Sequence, residues 1–228
     1  MGDSDGGSPV DAVQPVDGRR ARRQRNREAI VEAAFAHILE GKGTPTADDV
    51  ATRAGVSVSS IFRNFEGLAD IQQQALELFN ERYAHLLLAV PPTGSDLAMR
   101  VDFFVRTRLD LYVQASPLMA LARCRAFDDD RWRERIARNR AAMADQLHSC
   151  FAPEIDNLTP ADAADVVSLL DSLTSPEAFD LMTTSHARTP GQLARSWGLA
   201  IHGLFADWPT SSGSAASRTT MSRTDGHP

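Results

Sequence analysis

The spacing of apolar residues predicts two short helices joined by a tight turn between residues 46 and 65. Thr46 can cap the first helix, and Asp49 places a carboxylate three residues later, near the positive end of the helix dipole. Gly55 ends this helix, because glycine adopts a left-handed conformation without steric strain, and Ser57 can cap the second helix. One face of the first helix is apolar and consists of Val50, Ala51 and Ala54. The segment is therefore predicted to be a helix-turn-helix.

The second helix of this pair has an apolar side and a short polar side. Ile61 and Phe65 lie one turn apart and are expected to face inward. A short helix with small polar side chains can enter the major groove of DNA, where hydroxyls bond base edges or phosphates and arginine bonds guanine. The candidates for base contacts are Ser59, Ser60 and Arg63. The candidates for backbone contacts or packing are Ser57, Phe62 and Asn64, with Thr46 as a further candidate DNA contact.

An ordinary helical hairpin with a solvated face would show a similar pattern, so the flanking residues matter. Six arginines lie between Arg19 and Arg27, just upstream of the helix pair. Basic runs also occur as solvating tails or bind membrane surfaces and other polyanions. The position favours DNA, because arms placed beside a reading helix can enter the adjacent minor groove. We therefore expect DNA contacts from Arg22, Arg23 and Arg25.

A longer amphipathic helix is predicted between this arginine arm and the helix pair. It is expected to run from about Arg25 to Glu40 and to pack against the pair through an apolar stripe. The stripe contains Ala29, Ile30, Ala33, Ala34 and Ile38. Gly41-Lys42-Gly43 follows this helix without a preceding strand, which argues against a phosphate-binding loop.

Residues 25 to 71 resemble the N-terminal domain of TetR-type transcriptional regulators. The resemblance rests on Ala54-Gly55-Val56-Ser57 and on Phe62-Arg63-Asn64-Phe65. The family usually has a tyrosine where this chain has Phe62, often glycine and threonine at Ser59 and Ser60, and commonly a lysine at Leu68. Phe62 would thus keep its packing and lose a hydroxyl contact to phosphate. The resemblance implies a three-helix DNA-binding unit followed by a helical domain.

The remainder of the chain is predicted to be helical from Leu68 to Trp208, with proline-containing breaks and no alternating strand pattern. The predicted class is all-α: an N-terminal helix-turn-helix domain with its basic arm (19–67), then a regulatory and dimerisation bundle (68–208). Residues 1–18 and 209–228 lack periodicity and are rich in Gly, Ser, Pro and Thr, so disordered tails are expected there. Pro117 is expected to begin a short helix of its own.

The last two helices of the bundle are candidates for a dimer interface. In TetR-like proteins the corresponding helices join two subunits, whose helix-turn-helix domains bind a palindromic operator. The candidate interface residues are Leu169, Leu173, Leu193, Trp197, Ile201 and Leu204. The alternative is that these residues only complete the core of a monomer.

The family resemblance also implies a small-molecule effector that lowers operator affinity. Aromatic and flexible side chains in the bundle could form an apolar pocket for it, with a few polar groups for orientation. The apolar candidates are Phe103, Phe104, Tyr112, Met119, Phe127, Trp132 and Met143, and the polar candidates are Arg108, Arg123 and His148. The same residues can equally be core. The helix from Leu68 to Val90 would transmit the effector-induced shift to the helix-turn-helix domain.

Charge and motif content narrow the function classes. The chain carries a net charge of −6, yet its basic segment lies at one end, so DNA would meet that end only. Cys124 and Cys150 lack zinc-site spacing, and no two histidines are three or four residues apart. No nucleophile elbow, P-loop or dinucleotide fingerprint occurs, so neither an enzyme nor a cofactor is predicted. No targeting signal is visible and the longest apolar run, Leu86 to Val90, is too short for a membrane span, so a cytoplasmic protein without membrane partners is expected.

These observations favour a ligand-responsive DNA-binding regulator, most often a repressor in the family that the chain resembles. It would bind an operator in double-stranded DNA as a homodimer and be released by an effector. Two alternatives stay open: a partner-regulated or ligand-independent DNA-binding protein, and a helical-bundle enzyme.

Overall fold

The computed structural model describes residues 15–208, with the side chains of residues 18–208. Its helices are α1 Pro15–Leu39, α2 Ala47–Ala54, α3 Val58–Asn64, α4 Leu68–Leu87, α5 Leu97–Arg125, α6 Asp130–Ile155, α7 Pro160–Leu173, α8 Pro176–Asp180, a π-helical turn Leu181–Ser185, and α9 Pro190–Asp207. No strand occurs in this part of the chain, which confirms the predicted all-α class. The expected C-terminal tail and residues 1–14 lie outside the described residues.

The described residues form two compact units that divide between Leu78 and Phe79. The division falls inside α4, whereas the sequence placed the boundary at the first residue of that helix. The first unit has a small core to which α1, α2, α3 and the start of α4 contribute. This core contains Ile30, Ala33, Ala34, Val50, Ala51, Ile61, Phe65 and Ile71.

The predicted start and end of α2 are confirmed by its caps. The Thr46 backbone N–H donates to Asp49 Oδ2 at 2.9 Å, and the Asp49 backbone N–H donates to Thr46 Oγ1 at 3.2 Å. Hydrogen bonds donated to the Asp49 carboxyl by the Thr46 hydroxyl and by the Thr46 backbone N–H lower its pKa. Gly55 has φ of 66°, in the left-handed region that the turn requires. Ser57 caps α3, where its Oγ accepts from the Ser60 N–H at 3.3 Å.

Helix α1 begins at Pro15 rather than near Arg25, so the arginine-rich segment is helical and not an extended arm. Arginine and glutamine are good helix formers, and contacts with the end of α3 hold this segment. Arg27 donates to the carbonyl oxygen of Asn64, and its guanidinium lies 4.3 Å from the centre of the Phe65 ring. The last residues of the expected disordered N-terminal tail therefore belong to α1.

The second unit is built around α5, which packs against α6 and α9. Its core contains Phe104, Leu111, Tyr112, Leu118, Leu147, Phe151, Trp197 and Ile201. The Tyr112 ring contacts Trp197 edge-on, with ring centres 6.4 Å apart, and Phe104 contacts Phe151 at 5.3 Å. Aromatic side chains thus join all three helices.

Pro117 does not begin a new helix, because α5 continues through it to Arg125. Ala115 and Leu118, on either side of the proline, are both buried in the same core, which favours one continuous helix. The proline leaves the carbonyl of Val113 without its helical donor. Val113 is exposed, so water can satisfy that carbonyl.

Three of the residues predicted to form the dimer interface belong to the core of a single chain. Leu193, Trp197 and Ile201 are buried within the chain, so this packing leaves them no free surface for a second subunit. The apolar side chains that α7 and α9 leave exposed are Leu169, at 52%, and Leu199, at 63%. The helical period predicted the apolar face of α9 correctly, but this face packs inside the second unit.

Candidate nucleic-acid interface

Three serines cluster at the start of α3. Ser57 Oγ lies 3.0 Å from Ser59 Oγ and 3.0 Å from Ser60 Oγ. Ser59 is exposed and Ser60 is half-buried. Because each hydroxyl can donate and accept, the cluster offers several hydrogen-bonding positions to a base edge or a phosphate.

Two polar side chains at the end of α3 turn back towards Ser60. Arg63 Nη2 donates to Ser60 Oγ at 2.9 Å, and Asn64 Nδ2 donates to the Ser60 carbonyl at 2.7 Å. Arg63 is exposed, and its remaining N–H groups can reach an outside acceptor. The geometry therefore presents a guanidinium beside a hydroxyl, which suits contacts with guanine or phosphate.

The N-terminal turns of α1 add further cations next to α3. Arg23 Nε donates to Asn64 Oδ1 at 3.3 Å, which ties the two helices together. The two helices enclose an open cleft of about 460 Å³, lined by Arg19, Arg22, Arg23, Asn26, Ser60, Arg63 and Asn64. Four of these residues are arginines and none is a carboxylate, so the cleft is strongly basic.

The cleft brings together five of the predicted DNA-binding residues: Arg22, Arg23, Ser60, Arg63 and Asn64. The sequence prediction missed Arg19 and Asn26. Their signal is the polar spacing 19, 22, 23, 26, which places all four residues on one face of a helix. It was overlooked because this segment was treated as an extended arm.

The other predicted DNA contacts lie outside the cleft. Arg25 and Ser59 are exposed, and Ser57 serves as the cap of α3. Thr46 Oγ1 donates to Asp49 Oδ2 at 2.6 Å, so its hydroxyl already has a role in capping α2. Phe62 is 56% exposed, which contradicts the expectation that it keeps a packing role. The ring lies on the outer side of α3 because Ile61 and Phe65 occupy the inner side.

Two cations outside the cleft, Arg53 and Lys42, are paired with one carboxylate. Glu40 Oε1 lies 2.5 Å from Arg53 Nη2, and Glu40 Oε2 lies 2.8 Å from Lys42 Nζ. Hydrogen bonds from Arg53 and Lys42 lower the pKa of the Glu40 carboxyl from 4.5 to about 2. The uncompensated positive charge therefore lies at the cleft and not at this end of α2.

In the second unit, the predicted effector-binding residues divide by burial. The buried residues are Phe104, Arg108, Tyr112, Trp132 and Met143, and the half-buried residues are Phe103, Met119 and Arg123. Phe127 is 83% exposed in the turn after α5, and His148 lies on the outer side of α6 near Asp156. Neither side chain lies in the interior of the unit, where the sequence placed the effector site.

Polar groups of α5 face α6, α7 and α8 in this unit. Tyr112 Oη donates to the Thr174 carbonyl at 2.7 Å, and burial raises the pKa of Tyr112 to about 12. Arg123 pairs with Asp180 and lies 3.6 Å from Glu177 Oε1, while Arg140 Nη2 lies 2.5 Å from Glu177 Oε2. The sequence prediction missed the carboxylates of α8, because acidic residues near a helix start are usually interpreted as caps.

Among residues 15–208, no cluster of three or more His, Cys, Asp or Glu side chains is arranged to hold a metal ion. None of the described helices combines the length and apolar character needed to cross a membrane.

Comparison with solved structures identifies the architecture. A protein from Rhodococcus sp. assigned to the TetR family matches with a TM-score of 0.59 and 18% identity, over 79% of this chain and 98% of that chain. The chain has the TetR-type fold. A transcriptional regulator from Rhodococcus sp. RHA1 matches with a TM-score of 0.61 and 18% identity, over 81% and 96% of the two chains. A transcriptional regulator from Pseudomonas aeruginosa PAO1 matches with a TM-score of 0.57 and 16% identity, over 83% of this chain and 92% of that chain.

The TetR-type fold confirms the resemblance seen in the helix-turn-helix segment, because the matches extend over nearly the whole length of those structures. No family model and no curated protein sequence matches the chain. The likeness therefore concerns the fold, with the N-terminal helix-turn-helix followed by a larger helical unit.

Proposed function

We propose that this chain is a DNA-binding transcriptional regulator whose α3 reads the major groove of an operator. The observation that carries the proposal is the basic cleft between α1 and α3, with four arginines and no carboxylate among its lining residues. Such a surface suits the phosphate backbone of DNA, which supplies most non-specific affinity. The TetR-type fold supports the assignment, since the solved structures that share it are described as transcriptional regulators.

Within this interface the residues divide into two roles. Ser59, Ser60 and Arg63 contact base edges, because they lie on the exposed side of α3. Arg22 and Arg23 contact phosphates, because an ordered helix presents them along one face. This differs from the flexible arm expected from the sequence, which would have entered the minor groove.

The regulator acts as a homodimer on a palindromic site. The outer faces of α7 and α9 support this, because both leave a large apolar side chain exposed, Leu169 and Leu199. Leu173 and Leu204 are half-buried on the same two helices. Two copies joined through these faces would bury the leucines and present two reading heads.

A small molecule that binds the second unit reduces operator affinity, so the protein is a repressor that its effector releases. Buried polar groups on α5, among them Arg108 and Tyr112, support a binding site in that unit. A tenfold loss of operator affinity requires about 1.4 kcal/mol of coupling between the two sites. A partner-regulated or ligand-independent regulator would bind the same DNA and show no release.

The proposal is tested by selecting DNA ligands from a random duplex library with the full-length protein. Arg63→Ala should weaken binding to the selected site by about 1–3 kcal/mol and relax the preference at one base pair. Arg53→Ala is the matched control, because Arg53 is an exposed arginine that Glu40 already compensates. Failure to select any sequence, or equal losses in the two variants, would contradict the assignment of α3 as the reading helix.

A further inference from the structure

Arg108 lies in the middle of α5 and is the most deeply buried cation of the second unit, with 1% of its surface exposed. Its Nη2 donates to the Met143 carbonyl at 2.5 Å. The other two guanidinium nitrogens, Nε and Nη1, are buried without a well-aligned hydrogen bond, although the Tyr112 hydroxyl lies near enough for Arg108 to lower the pKa of Tyr112. Within the described part of the chain, no carboxylate forms an ion pair with this arginine.

The groups around Arg108 cannot supply the missing negative charge. Its guanidinium carbon lies 5.0 Å from the centre of the Phe104 ring, whose face attracts the cation but carries no net charge. Burial raises the pKa of Tyr112 to about 12 and that of the Cys150 thiol to about 11, and the charge of Arg108 offsets these shifts only in part. Both groups are therefore neutral at physiological pH. The carboxylate of Asp171, on α7, lies 3.9 Å from Arg140 Nη1 and pairs with that arginine.

A guanidinium stays charged in proteins, so this site cannot relieve its burial by losing a proton. Charged side chains are rarely buried without a partner, because desolvation is costly unless an opposite charge compensates it. Two half-buried arginines of the unit obey this rule, since Arg100 pairs with Glu154 and Arg123 with Asp180. Arg108 departs from it, which indicates that its counter-ion comes from outside the chain.

We propose that Arg108 binds the carboxylate of an apolar small molecule that enters the second unit between α5 and α6. The planar guanidinium matches a carboxylate, and one cation balances its single charge, whereas a phosphate would bring an excess of negative charge. The neighbouring Phe104, Tyr112 and Met143 side chains suit an apolar or aromatic body. The inference rests on the effector response proposed above and specifies the chemical class of the effector.

The test is the thermal unfolding of full-length protein with octanoate and benzoate as probes. Octanamide and benzamide are the matched neutral compounds, because they keep the shape and remove the charge. A carboxylate at about 100 times its Kd should raise Tm by about 5 °C, and the corresponding amide should not. Arg108→Met should abolish this rise while Arg106→Met, an exposed arginine on the same helix, should keep it.

The variant without ligand gives a second readout. Arg108→Met should unfold at the same temperature as the wild type or above it, because an apolar side chain replaces an uncompensated buried charge. A lower Tm for this variant would show that Arg108 stabilises the fold by itself and would overturn the inference. So would the absence of a shift with either carboxylate, or equal shifts with acid and amide.

Operator binding separates this inference from the function on which it rests. If a carboxylate binds through Arg108 and operator affinity does not change, the carboxylate site is supported and the proposed release of DNA by the effector is wrong. If the protein binds an operator with base preference and no carboxylate acts through Arg108, the proposed regulator function is supported and the proposed carboxylate site is wrong.

Discussion

The two units of this protein differ in what their surfaces leave unpaired. In the first unit, four arginines line a cleft that contains no carboxylate among its lining residues. In the second unit, three half-buried arginines of α5 and α6 pair with acidic residues: Arg100 with Glu154, Arg123 with Asp180 and Arg140 with Glu177. The unit instead exposes apolar side chains on its last helices, Leu169 and Leu199.

This difference separates two kinds of binding surface. Uncompensated positive charge repels itself and does not stabilise a fold, so its concentration at one cleft favours an anionic partner such as DNA. An exposed leucine pair on adjacent helices favours a partner with an apolar surface, for which a second copy of the chain suffices. The paired charges of α5, α6 and α8 hold the helices of the second unit in place.

The largest expected effect is on stability, and it distinguishes a core residue of α9 from an interface residue of the same helix. Trp197→Ala should lower the free energy of unfolding by about 3–5 kcal/mol, because it removes a buried ring in contact with Tyr112. Leu199→Glu, two residues away on the exposed side, should change it by no more than about 0.5 kcal/mol and should instead weaken the dimer. Urea unfolding measures the first quantity, and light scattering across a dilution series measures the second.

The opposite result would reverse the assignment of the two faces. A Trp197→Ala protein that keeps its stability and becomes monomeric would place the ring in the interface, as the sequence first indicated. A Leu199→Glu protein with an unchanged dimer would move the interface to another surface.

A second prediction concerns the arginines on one face of α1. Replacing Arg19, Arg22 and Arg23 together by alanine should weaken operator binding on the order of tenfold or more at moderate salt. It should also reduce the slope of log affinity against log salt by about 2.7, since each lost phosphate contact contributes about 0.9. Alanine preserves the helix, so the circular dichroism spectrum should not change.

The control for this variant is Arg20→Ala, an exposed arginine of the same helix that does not line the cleft. Its salt slope should stay close to that of the wild type. Slopes that fall equally per arginine in both proteins would show that only the total charge of α1 matters, and that the cleft has no special role.

Sequence patterns predicted the elements that local chemistry determines. The caps at Thr46 and Ser57 and the left-handed Gly55 require only neighbouring residues, and all three are present in the structure. The beginning of α1 was wrong, because apolar periodicity stops at Ala29 and the helix continues upstream on polar residues. The regular spacing of Arg19, Arg22 and Arg23 would have indicated it.

Other features depend on long-range packing and could not be predicted in this way. The apolar face of α9 was recognised, but periodicity does not reveal whether α5 or a second subunit covers Trp197. The helical spacing placed Arg108 among the apolar residues of α5, but it could not show that this arginine is buried without a counter-ion. The candidate DNA interface was therefore predicted more completely than the interior of the second unit.

The smallest expected effect tests the paired cations of the first unit. Hydrogen bonds from Arg53 and Lys42 lower the pKa of Glu40 from 4.5 in the unfolded chain to about 2 in the folded protein. A lowered carboxyl pKa stabilises the folded state above the unfolded value, and this contribution disappears as the pH falls from about 4.5 towards 2. Wild type should therefore exceed Glu40→Gln slightly in urea midpoint at pH 7, and the difference should narrow below pH 4.5.

The control is Glu66→Gln, which removes an exposed glutamate that has no ion-pair partner among residues 18–208. Its urea midpoint should follow that of the wild type throughout this pH range. Because Glu40 lies outside the basic cleft, Glu40→Gln should also keep its operator affinity and its salt slope. A changed salt slope would show that Arg53 or Lys42 contacts DNA once Glu40 no longer pairs with it. The absence of a paired carboxylate would then not be enough to identify the DNA-binding surface of the first unit.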